Sequence, residues 1–222
     1  MAKSLKIRSW LVVEPSANAA TVHSAGADVT VLDLTGPPES WNAVADFHRE
    51  WTDISPHDRL AFLLPAFSSA RTDAAVDIAV RCAAASVILS GARNGAEVQR
   101  LDVTLRVAEI RAGLIPGHTA IAALADAAGI LAAPSFERCS TRLQFIGWES
   151  GHDPLSDTAR FAAAATALAA SAAGVVAIDA VSPTSDATTF LSECESARTN
   201  GFSGKLCRSL DQIPIINRIF SF

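Results

Sequence analysis

Short runs rich in valine, isoleucine and leucine recur along the chain and are mostly apolar at successive positions. They are SWLVVE (9–14), VTVLDL (29–34), RLAFLLPAF (59–67), ASVILSG (85–91), TAIAALAD (119–126), RLQFIGWE (142–149), VVAIDAV (175–181) and, less distinctly, KLCRSL (205–210). Between them, segments such as ANAATVHSAG, DAAVDIAVRCAA and GAEVQRLDVTLRVAEIRAG place apolar residues every three or four positions, the period of a helix. Strands apolar on both faces that alternate with helices build a parallel sheet covered by helices. Eight such units close as a (β/α)8 TIM barrel, here a small one. An open doubly wound sheet is the runner-up, but no GxGxxG follows the first strand. With 222 residues, 50% of them hydrophobic, and no linker dividing the chain, a single domain over 1–222 is expected.

Charge and composition exclude several functions. A net charge of -5 without any Lys/Arg cluster argues against nucleic-acid binding. Cys82, Cys139, Cys194 and Cys207 lie far apart with no metal spacing, as expected of reduced, buried thiols. The N-terminal MAKSLKIRSWLVV is basic before an apolar stretch, but Glu14 and Pro15 end that stretch too early for an export signal. The most apolar segment, FAAAATALAASAAGVVAI (161–178), approaches membrane-spanning length. Its glycine at 174 is a helix stop and VVAI a strand start, so no membrane span is expected and the protein is read as cytoplasmic.

In a barrel the chemistry sits at the C-terminal strand ends, and five of the eight carry a carboxylate: Glu14, Asp33, Asp126, Glu149 and Asp179. Oxygen ligands converging on one mouth would suit Mg²⁺, whereas the competing reading makes each a helix cap or turn residue. His152 and Asp153 follow Glu149 in a loop broken by Gly151 and Pro154, with His152 a candidate base. Arg93, in the turn GARNG, could hold a carboxylate or phosphate through its planar fork. Nucleophilic catalysis has little support: there is no GxSxG, no suggestive Cys/His pair and no tyrosine.

RSWLVVEPSANAATVHSAGADVTVLDL (8–34), VVAIDAV and GFSGKLCRSLDQIPIINRIF (201–220) resemble, in order and in detail, segments of the citrate lyase beta-subunit-like family of the HpcH/HpaI aldolase superfamily. The resemblance implies a TIM barrel that makes or breaks a C–C bond beside a carboxylate or acyl-CoA thioester with Mg²⁺. The family's catalytic motifs are altered, however. FLLPAF (62–67) replaces Arg-Val-Asn, SGAR (90–93) replaces Pro-Lys-Val-Glu, and Leu124-Ala125-Asp126 stands at Ile-Glu-Thr. Ser150 follows Gly147-Trp148-Glu149 where the metal-binding aspartate is usual, and Thr35 and Gly36 replace an acidic pair. A one-residue gap brings Asp126 into the glutamate position, and Glu149 can supply the second metal ligand. Asp33, Arg93 and His152 remain as catalytic candidates. The expectation is a divergent C–C lyase acting on a small carboxylate or acyl-CoA ligand, with a non-catalytic barrel that binds an acidic metabolite or joins an assembly as the alternative. The apolar end IPIINRIFSF is expected to pack on the barrel or on a second copy, which makes a homo-oligomer an expectation too.

Overall fold

All eight apolar runs are strands in the structure, a computed structural model that describes residues 7–55, 59–149 and 156–221. They are β1 (Ser9–Val13), β2 (Val29–Asp33), β3 (Leu60–Leu64), β4 (Ser86–Ala92), β5 (Ala120–Ala125), β6 (Leu143–Trp148), β7 (Val176–Asp179) and β8 (Gly204–Cys207). Every pairing is parallel and sequential, and β1 pairs with β8, Trp10 opposite Leu206, to close the barrel. The helices α1 (Ala19–Ser24), α2 (Val44–Ile54), α3 (Thr72–Arg81), α4 (Gly95–Arg111), α5 (Ala127–Leu131), α6 (Asp157–Ala173), α7 (Ala187–Thr199) and α8 (Ile213–Ile219) alternate with the strands.

Strand alternation splits the core into two layers. Trp10, Val12, Val31, Leu63, Ile88, Leu124, Phe145, Ile178 and Leu206 belong to the cluster that fills the barrel interior. Leu11, Leu32, Leu64, Leu89, Ile146 and Cys207 belong to the one that meets the helices. The interior is tight enough to demand a glycine in β6. A Cβ on Gly147 would come within 2.7 Å of Leu124 Cδ2 and 2.8 Å of the Ile178 carbonyl oxygen. Side-chain acceptors at Asn18, Asn94, Asp126, Ser156 and Asp186 cap the helices that follow them.

The apolar segment around residue 170 resolves as the reading of Gly174 predicts. Helix α6 stops there with φ +68°, and β7 begins two residues later. No helix among the described residues is long and apolar enough to cross a membrane. The apolar chain end packs on its own barrel: Ile213, Ile216 and Phe220 are buried. Those three side chains are thus covered without a second copy. Arg8 donates from its side chain to both oxygens of Asp28, and Ser9 Oγ donates to Asn217 Oδ1, tying the chain end to the N-terminal face of the barrel.

On that same face Glu109 of α4 is fully buried. It receives both terminal nitrogens of Arg142 at 2.7 Å and the amides of Gly117 and Thr119. Burial by itself would push the Glu109 carboxyl up, but these four donors hold it down at about 2. All four thiols are free. Cys139, Cys194 and Cys207 are buried and Cys82 partly so, and burial pushes Cys194 and Cys207 up to about 12 and Cys82 to about 11, far from nucleophilic range.

Candidate functional site

Asp33, Ser90, Glu149 and Arg208 lie two residues beyond the interior positions Val31, Ile88, Gly147 and Leu206, so all four turn toward the barrel axis at its C-terminal mouth. Ser90, Glu149 and Arg208, with Thr35 and Trp148, line a cavity of about 200 Å³ there. That volume suits a ligand of a few heavy atoms.

Glu149 is positioned by an irregularity in the neighbouring strand. The β4–β5 register shifts between Leu89 and Ala92, and Gly91 within the shift takes φ +59°. A bulge of this kind re-aims the groups it contains. Here Ser90 Oγ and the Gly91 amide both donate to Glu149 Oε1, at 2.5 and 2.8 Å. Side chains other than glycine are disfavoured at 91 twice over, by the positive φ and by Ala66 Cβ at 3.1 Å from a built Cβ.

Arg208 is a cation lining the mouth, one that the sequence analysis does not single out. Its Nη2 donates to Asp33 Oδ2 at 2.6 Å, while Asp33 Oδ1 accepts from the amide and hydroxyl of Thr35. Asp33, 3% exposed, is thereby a positioning residue for a guanidinium whose side chain is 48% exposed. The remaining N–H donors of Arg208 have no partner among the described residues. Arg71, in the loop after β3, fastens the neighbouring loop by donating to the Gly36 and Thr35 carbonyls.

The other expected residues fall in different places. Asp126 is the N-cap of α5, accepting from the Gly129 amide at 2.9 Å. It shares with Glu149 a second, mostly apolar cleft of about 190 Å³ that Trp148, Ile130, Leu131 and Phe161 also line. Arg93 is exposed, is absent from the lining of both cavities and donates its amide to Glu97 Oε2. Glu14 is exposed, and its carbonyl closes a turn to the Ala17 amide. Asp179 points away from the mouth, next to inward-facing Ile178. It pairs with buried Lys205 at 2.5 Å and accepts from Trp148 Nε1 at 3.0 Å, an anchor for the tryptophan that lines both cavities. His152 and Asp153 lie outside the described residues.

Asp126 and Glu149 each commit one oxygen to a backbone N–H and keep the other without a partner among the described residues. Two such oxygens are a donor set compatible with Mg²⁺, which takes one or two carboxylates and completes its shell with water and substrate. No group of three or more His, Cys, Asp or Glu among the described residues could enclose a metal.

The chain is thus a closed (β/α)8 barrel with an arginine and a tethered carboxylate at its C-terminal mouth, the end at which enzymes of this fold carry their active sites. Solved structures narrow the likeness. The citrate lyase beta subunit from Mycobacterium tuberculosis matches over 100% of both chains at TM-score 0.79 and 23% identity. The same subunit complexed with oxaloacetate and magnesium matches over 97% of both chains, TM-score 0.77 and 22% identity. RipC from Yersinia pestis matches over 97% of this chain and 95% of its own, TM-score 0.75 and 21% identity. These likenesses establish a shared fold. No family model matches the chain, and no curated protein matches it.

Proposed function

We propose that the barrel binds a small carboxylate at its mouth and acts as a carbon–carbon lyase on the bond beside it. The observation that carries the reading is Arg208, held by Asp33 at the end of β8 with donors to spare, facing a cavity that Ser90 and Glu149 close on another side. A guanidinium fork takes a carboxylate in a fixed orientation. Support comes from the fold shared with a protein solved with oxaloacetate and magnesium.

In this reading Arg208 fixes the substrate carboxylate, and Ser90 and the Gly91 amide hold Glu149 in one rotamer against the adjacent carbons. Glu149 and Asp126 are the residues that would hold Mg²⁺. When bound, the ion supplies positive charge against the negative charge that develops beside the breaking bond. Trp148, fixed by Asp179, keeps water from one wall of the cavity.

A second reading, a barrel that binds without turnover, draws on Asp33: its charge already offsets much of Arg208, and FLLPAF (62–67) has no arginine where the family this sequence resembles usually carries Arg-Val-Asn. Calorimetric titration with pyruvate and oxaloacetate, with and without Mg²⁺, tests binding, and product analysis on oxaloacetate tests cleavage. Binding that weakens about 10- to 100-fold in Arg208→Gln supports the mouth as the site. Turnover lost in Glu149→Gln with binding retained supports the lyase, whereas binding with no turnover in the wild type supports the second reading. Carboxylate binding unchanged in Arg208→Gln defeats both.

A further inference from the structure

A polar cavity of about 400 Å³ lies at the other end of the barrel, beside the Glu109–Arg142 pair. Arg106 of α4, His118 and Thr119 before β5, Thr141 before β6 and Gln144 within β6 line it. The strand register bends to present one of them. Ile121 of β5 pairs with Leu143 and Ala122 with Phe145, so Gln144 is the unmatched residue of a bulge. Bulges at barrel rims re-aim the side chain they carry, and Gln144 is exposed on this cavity. Thr119 is 1% exposed, yet its hydroxyl has no hydrogen-bond partner among the described residues, a costly state that few buried polar groups are left in. The side chains of Arg106, His118, Thr141 and Gln144 likewise make no hydrogen bond to a described residue. The anion nearest Arg106 is Asp102, whose Oδ1 stands 3.9 Å from Nη2. Asp102, the carboxylate in the wall, already has both oxygens engaged, by Ser140 Oγ and Arg142 Nε. The cavity therefore offers uncommitted donors around a cation, while its carboxylate is already engaged.

We infer that this cavity is a second binding site, for the phosphate monoester of a small polar molecule. Its donors come from α4, from the entry to β5 and from the entry to β6, so they converge from several sides. A phosphoryl group carries three strong acceptor oxygens in a tetrahedral arrangement and meets donors from several directions, whereas a carboxylate presents two in one plane. Arg106 supplies the charge, and His118 and the hydroxyls of Thr119 and Thr141 take the remaining oxygens. The volume falls in the range of sites for small organic ligands and exceeds what a bare phosphate fills, which leaves Gln144 for the group that carries it. The site stands at the end of the barrel away from Arg208 and does not depend on the carboxylate proposed at the mouth.

The test is a calorimetric titration of the full chain, at low salt and neutral pH, with inorganic phosphate, glycerol 3-phosphate and glycerol, repeated on Arg106→Gln, Thr119→Val and Arg208→Gln. Valine keeps the shape of Thr119 and its backbone bonds to Glu109 and Arg142, and removes a hydroxyl that has no partner in the fold, so the melting temperature should hold or rise. The expected result is binding of both phosphates, the ester more tightly, and none of glycerol. Affinity should fall about tenfold or more in Arg106→Gln, about two- to tenfold in Thr119→Val, and not at all in Arg208→Gln. Glycerol 3-phosphate should also raise the melting temperature of the wild type as its concentration rises. Glycerol 3-phosphate binding no tighter than inorganic phosphate overturns the ester and leaves a site for the free anion. Affinity that falls in Arg208→Gln but holds in Arg106→Gln puts the anion at the mouth and overturns the second site. Failure of both phosphates to bind, or affinity unchanged in both Arg106→Gln and Thr119→Val, overturns it as well.

Discussion

Arg208 and Asp179 show what a single residue's surroundings do to its role. Both carry charge at strand ends, yet one faces the mouth and the other is buried against Lys205 and the helices. The difference is parity within the strand: Leu206 points inward, so Arg208 does; Ile178 points inward, so Asp179 cannot. VVAIDAV is apolar on both faces, and its apolar pattern therefore carries no record of which face is inside. Arg208 escaped the sequence reading for a related reason. KLCRSL is the least regular of the eight runs, and the partner that orients its arginine is Asp33, 175 positions earlier. Arg208→Lys tests whether the fork matters or only the charge. Lysine keeps the charge but holds a carboxylate through one point, so pyruvate affinity should fall about tenfold, between wild type and Arg208→Gln. Equal affinity in Arg208→Lys and wild type would reduce the site to simple charge attraction.

At the scale of elements, the eight strands and the end of α6 were readable because doubly apolar runs and a C-terminal glycine are local signals. The bulge in β4 left a fainter trace, the Ser-Gly pair closing an otherwise apolar strand, and its consequence for Glu149 needed the neighbouring strands in register. Asp126 illustrates the ambiguity that remains when one side chain serves an element and a site. As N-cap of α5 it is worth about 1 kcal/mol, which Asp126→Ala should cost and Asp126→Asn should preserve, since asparagine caps as well as aspartate. Asparagine nonetheless lacks the charge that a Mg²⁺ ligand contributes. Loss of Mg²⁺ binding heat in Asp126→Asn, at an unchanged melting temperature, would assign the carboxylate to the metal. Undiminished Mg²⁺ binding in both variants would leave it a helix cap.

The two ends of the barrel differ in what they carry, with carboxylate recognition proposed at the C-terminal mouth and a buried ion-pair network at the opposite face. There the Glu109 carboxylate joins α4 to the chain entering β5 and β6, through Thr119 and Arg142, while Asp102 adds a second link to Arg142. Because Glu109 titrates lower in the folded chain than in the unfolded one, its contribution is complete above its ordinary value of 4.5 and is lost as pH falls toward about 2. Chemical denaturation of wild type and Glu109→Gln between pH 7 and pH 2.5 isolates this group. At neutral pH the variant should be less stable by about 3–5 kcal/mol, since Arg142 is left buried with one of its two anions gone. Below pH 4.5 the gap between the two proteins should narrow steadily, because the wild type then loses what the variant never had. A gap that stays constant down to pH 2.5 would mean that packing, not ionisation, makes Glu109 important. Pyruvate binding by the folded variant at neutral pH should match the wild type, because the tie lies at the end of the barrel away from Arg208.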